Sequence, residues 1–186
     1  MNTYNIKGDV MEYILNKIYT DTEYLNIIND IITNETVQKM KNFRQHCDTN
    51  CFDHCLVASY FCYKFCRKYH LDYISCARAA MLHDFFLYDW RKKQEDKKGL
   101  HAFTHPETAL KNANEIFDLN DVEKDIILKH MWPVTFSFPK YKESFVLTYY
   151  DKKCAFMESF SSMREKFIRK RIFRYAYVFF SLLIIL

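Results

Sequence analysis

Glycine and proline are nearly missing from this chain, with two and three residues among 186. Tight turns draw heavily on those residue types. Their scarcity excludes a multi-stranded β architecture and points to long helices. A long apolar run is missing too. The longest, Tyr175–Leu186, has about twelve residues, against the roughly twenty needed to span a bilayer. Residues 1–10 are polar and lack the apolar segment of a secretory signal. A large excess of one charge sign is also absent: 27 Lys and Arg stand against 23 Asp and Glu, a net charge of +4. Lys166, Arg169, Lys170, Arg171 and Arg174 crowd the C-terminal end and leave the body near neutral. No nucleic-acid partner is therefore expected.

What is present suits a helical interior. Hydrophobic residues make up 49% of the chain and aromatics 18%, enough for one domain with a real core. An all-α, single-domain helical bundle is expected. The cysteine count is odd, at seven. Without a signal segment, reduced thiols in a cytoplasmic protein are expected. Cys47, Cys51 and Cys55 recur every four residues, as do Cys62 and Cys66. That spacing admits a zinc site on a helix face, but small buried apolar residues are the simpler reading.

Along the chain, apolar positions at helical spacing predict helices over 9–19, Asp21–Ile32 and Glu35–Phe43, the last capped by Asn34. These residues, 1–42, read as an N-terminal helical layer. A polar connection leads into Cys51–His70, with His54 in its first turns. Asp72 is a candidate N-cap for Tyr73–His83, where Ala77, Ala79 and Ala80 allow close approach of a neighbour. Phe85–Leu100 reads as a long charged connection. Pro106 suits the first position of a helix running to about Phe117. Asn120 is placed to cap Asp121–His130, and Pro133 ends it. A helix over Glu143 to about Ser159 carries Asp151 among apolar neighbours, where a carboxylate is costly to bury unless paired or bound to metal. Residues 161–186 form a basic and then apolar tail. It reads as a buried helix, an interfacial anchor on anionic headgroups or the start of a span.

The unusual pair is His83-Asp84, at the end of the apolar run Ala80-Met81-Leu82. Adjacent side chains diverge by about 100° on a regular helix, so they converge best where a helix ends. With His54, His105, His130 and Asp151 they form an ordered series on helix ends and apolar faces. Such a series suits a bundle that holds metal between facing helices. Imidazole and carboxylate donors favour iron, manganese, zinc or similar ions, and a turned-in Cys51 or Cys55 would shift the preference toward zinc.

The order H…HD…H…H…D resembles the HD-domain metal-dependent phosphohydrolase superfamily over about residues 43–160. Gln45-His46, the run from Leu82 to Arg91, His105-Pro106 and Lys129-His130-Met131-Trp132-Pro133 resemble its small stand-alone bacterial members. The resemblance implies one metal held by His54, His83, Asp84 and Asp151, and a second at His105 and His130. Asp84 would bridge the two, and His101 is a rival to His105. The cofactor would be a divalent metal, in two copies, of the Fe, Mn, Zn or Mg class. His83 and Asp84 would be the catalytic core, with His46, Arg91 and Lys129 as candidate substrate contacts and Lys92 and Lys93 as further phosphate-binding candidates. The implied substrate is a nucleotide or another small phosphorylated metabolite. A di-iron oxygenase and a non-catalytic nucleotide-binding module are the alternatives. Contact of residues 164–186 with a membrane surface is compatible with each.

Overall fold

The computed structural model describes the backbone of residues 6–45, 49–92 and 100–185. Side chains are described from residue 13 onward, and beyond residue 160 only at Ser162, Met163 and Phe167. Among the described residues there are helices and one isolated bridge, between Arg44 and Asn50. The helices are α1 (Ile6–Thr20), α2 (Thr22–Ile32), α3 (Glu35–Gln38), α4 (Cys51–Lys68), α5 (Tyr73–Leu82), α6 (His101–Asn114), α7 (Asp121–Lys129) and α8 (Lys142–Ile185). The fold is the all-α bundle expected.

Helix α4 is the axis. It is buried on most of its faces, as a helix enclosed by others must be. Its start is secured reciprocally: the Asn50 side chain accepts from the Asp53 N–H at 2.8 Å and donates to the Asp53 carboxylate at 2.7 Å. Helices α5 and α8 pack against it. The small face Ala77, Ala79 and Ala80 of α5 is fully buried, which lets the α4 backbone come close. Asp72 caps α5 by accepting from Ser75 N–H. Asn120 and Glu123 form a reciprocal capping box on α7. The described side chains of residues 13–42 do not build a core of their own. Ile18, Tyr24, Ile28, Ile31, Val37 and Met40 join the apolar cluster of α4 and α5, and Tyr24 donates from its hydroxyl to Ser59 Oγ at 2.9 Å.

Four boundaries differ from the sequence expectation. After α3 the chain tightens into a 3-10 turn, Lys39–Asn42, where a single helix to Phe43 was expected. Helix α6 begins at His101, so Pro106 lies inside it and not at its first position. The first four N–H groups of a helix lack intrahelical partners in any case, so a proline in the second turn removes only its own hydrogen bond and the helix extends backward past it. The same helix stops at Asn114, short of Phe117. Helix α8 does not end near Ser159 but continues to Ile185, since no glycine or proline interrupts it. The side chains of the basic cluster Lys166–Arg174, and of the apolar stretch from Tyr175, lie outside the described residues. Among the described residues no helix is long and apolar enough to cross a membrane.

Arg78 ties three helices together. It reaches Asp30 on α2 with paired contacts of 2.6 and 2.8 Å, the Ile27 carbonyl at 3.0 Å and buried Glu123 on α7 at 3.1 Å. Removing it leaves the Glu123 carboxylate buried without its cation. Arg78→Ala is expected to lower the unfolding free energy by about 2–3 kcal/mol, read by urea denaturation. An unchanged midpoint would mean that apolar packing alone holds α2.

Candidate metal centre

Side chains from three helices and two helix ends meet at a single buried point. His54 comes from the first turns of α4. His83 is the C-cap of α5, with helical φ −61° and ψ −29°, and Asp84 follows it. The end of the helix frees the pair from the divergence of a regular turn, so that His83 Nε2 lies 3.3 Å from Asp84 Oδ2. His105 comes from α6, His130 from the C-cap of α7 and Asp151 from α8. All are buried.

Asp84 stands between two groups of imidazoles. Its Oδ2 faces His83, and its Oδ1 lies 3.2 Å from His105 Nε2 and 3.7 Å from His130 Nε2. Asp151 Oδ1 is 3.1 Å from His54 Nε2 and 3.6 Å from His83 Nε2. Ligand atoms of His54, His83 and Asp84, and separately of Asp84, His105 and His130, lie within 4.8 Å of one another. The arrangement can bind a metal ion.

The hydrogen bonds on the far side of each ring settle where the lone pairs point. The Nδ1 atoms of His83, His105 and His130 each lie 2.8 Å from a backbone carbonyl, of Ala80, His101 and Ile127 respectively. A carbonyl only accepts, so each Nδ1 carries the proton and donates it. Each Nε2 then presents a lone pair to the centre. His105 Nε2 and His130 Nε2 are 2.8 Å apart, and Asp84 Oδ1 and His83 Nε2 are buried without a hydrogen-bond partner. Lone pairs at such separations repel unless a cation lies among them. This donor set, buried and convergent, fits a divalent ion.

The charge states agree. Burial opposes ionisation of Asp84, but His83 and His105 overcome it and hold the carboxyl well below its usual range. Asp151 is likewise held low against burial by its bonds to His54 and His83. Burial also opposes a charge on His54 and His83. The carboxylates of Asp151 and Glu158 outweigh it at His54; at His83, those of Asp84 and Asp151 do so. A field that draws a proton to these rings draws a metal cation too. His130 is pushed down to about 3, first by burial and then by His105 and His83, so it stays neutral and keeps its lone pair.

The thiols sit behind the centre. Cys51 Sγ donates to the Asp84 carbonyl at 3.1 Å, and Cys55 Sγ lies 3.6 Å from the Nδ1 side of His83. Cys51, Cys55 and Asp84 also have ligand atoms within 4.8 Å of each other, but burial pushes both thiols up and keeps them protonated. They pack as small apolar groups, as do Cys62, Cys66, Cys76 and Cys154, all buried and unbridged. Cys47 is outside the described residues.

Of the candidate substrate contacts, His46 lies outside the described residues, as does Lys93. Arg91 pairs with Asp89 at 3.0 Å and Lys129 with Asp125 at 2.7 Å, so the ion pairs that hold them are not with the cluster. His101 stacks on His105 at 4.5 Å between ring centres and makes a second stack with Trp90 at 5.4 Å. It lines the centre's edge while His105 supplies the inward nitrogen.

Two participants escaped sequence reasoning. Glu158 Oε1 is 3.0 Å from His54 Nδ1. Its signal was its spacing, seven residues after Asp151 and so on the same helix face. Gln45, named in the resemblance at Gln45-His46 but given no role there, donates from Nε2 to Asp84 Oδ2, beside the isolated bridge between Arg44 and Asn50.

No protein-family model, curated protein or solved structure matches this chain. An ion that binds the folded centre stabilises it by about 2.7 kcal/mol at a hundredfold excess over its dissociation constant. Saturating Mn²⁺ or Zn²⁺ is expected to raise the melting temperature of chelator-treated protein by about 5–10 °C, and Asp84→Ala to abolish the rise. Equal shifts in both proteins would move the binding elsewhere.

Proposed function

We propose that this chain is a metal-dependent phosphohydrolase of the HD-domain type, acting on a nucleotide or another small phosphorylated metabolite. The observation that supports it most is Asp84, with one carboxylate oxygen turned to His83 and the other to His105 and His130. A carboxylate so placed suits a bridge between two cations. The ordered resemblance of His54, His83-Asp84, His105, His130 and Asp151 to that superfamily points the same way.

In this reading His54, His83, Asp84 and Asp151 hold one ion, and Asp84, His105 and His130 hold the other. Divalent ions there would supply Lewis acidity, lowering the pKa of water and stabilising charge on phosphoryl oxygens. The protein's own residues do the positioning. The carbonyls of Ala80, His101 and Ile127 fix three ring orientations. Gln45 fixes the Asp84 carboxylate. Phe86, packed edge-on against His101 and His105, keeps bulk water from that side. Phosphate ester cleavage relies mainly on positioning and electrostatics, which is what this arrangement offers.

Purified protein given Mn²⁺ is expected to release phosphate from p-nitrophenyl phosphate or nucleoside monophosphates. Asp84→Ala and His130→Ala should each reduce the rate by at least about a thousandfold. Oxygen uptake with ferrous iron, and no phosphate release with any divalent ion, would replace this reading with that of a di-iron oxygenase.

A further inference from the structure

Three of the rings at the centre are backed by peptide carbonyls, those of His83, His105 and His130. His54 is the exception. Its Nδ1 faces the Glu158 carboxylate at 3.0 Å, and Glu158 is only 5% exposed. The remaining oxygen, Glu158 Oε2, is buried without a hydrogen-bond partner. Asp151 and Glu158 both belong to α8, so one rigid helix grips both nitrogens of His54. A carboxylate at this depth is costly to bury.

A carboxylate is a stronger acceptor than a carbonyl, and it raises the donor strength of the imidazole it backs. Its effect here is one-sided. The position bounded by His54 and His83 has the Asp151 carboxylate, a share of Asp84 and Glu158 behind His54. The position bounded by His105 and His130 has a share of Asp84 and two rings backed by neutral carbonyls. The cation attraction of the two halves is therefore unequal.

We propose that Glu158 is a positioning residue that makes the two cation positions unequal: a tightly held ion at His54, His83, Asp84 and Asp151, and an exchangeable one at Asp84, His105 and His130. This rests on reading the centre as a two-cation site.

The test uses the full chain, stripped with chelator and titrated with Zn²⁺ alone. Calorimetry of the wild type is expected to give two classes of site. In Glu158→Gln, which keeps size and hydrogen bond but loses the charge, the tight class should weaken by about 10–100-fold with the loose class unchanged. Glu158→Asp should retain more of the tight affinity than Glu158→Gln. Equal affinities in wild type and Glu158→Gln, or a loss confined to the loose class, would overturn the assignment. Imidazole nitrogen NMR of the wild type gives a second reading that needs no variant to fold. The first equivalent should shift His54 and His83 and the second His105 and His130, and the reverse order would overturn the proposal. A wild type that takes up no zinc would defeat the metal centre itself, whereas one with two equal classes defeats only the role of Glu158.

Discussion

The structure depends on one unfavourable contact being made favourable: a buried carboxylate, Asp84, set among imidazole nitrogens that all turn lone pairs toward it. Removing such groups from water costs several kcal/mol each, and they repel one another if left alone. Two things offset this. The far side of every ring has its hydrogen-bond partner, so no N–H is wasted. The near side offers a cation a set of donors already oriented. A centre built this way is poorly suited to being a passive part of a core, and well suited to holding charge.

The scaffold explains how the donors arrive. α4 lies enclosed, so His54 starts from a fixed axis. The alanine face of α5 brings the end of that helix, and with it His83-Asp84, close against α4. The chain then turns sharply at Leu87, whose φ of 51° is unusual for a residue other than glycine. Asn112 donates to the Phe85 carbonyl at 2.7 Å and holds that turn against α6. On the other side Asp125 accepts from Lys140 N–H at 3.0 Å and from Ser144 Oγ at 2.7 Å. That buried bond sets the start and the rotation of α8, which is what directs both Asp151 and Glu158 inward.

Much of this was legible without coordinates. The scarcity of Gly and Pro announced an all-helical chain, and Asn34, Asn50, Asp72 and Asn120 are all caps in the structure, three of them expected as such. Boundaries were less legible. The start of α6 was misplaced because Pro106 is a strong local signal, and nothing local reports that the preceding turn can be helical as well. The end of α8 was misplaced because a change in composition near Ser159 is not a change in backbone preference.

By itself the sequence determined the helical class, most caps and the residue types at the centre: periodicity and side-chain chemistry are local properties, carried by neighbours three and four positions apart. Tertiary structure alone decided which nitrogen of each histidine faces inward, that Gln45 reaches Asp84 across 39 positions, that Glu158 lies behind His54, and that the thiols stand behind the ligands. Those are outcomes of how helices rotate and pack against one another. Packing is set by the whole core, so no single stretch of the chain records it.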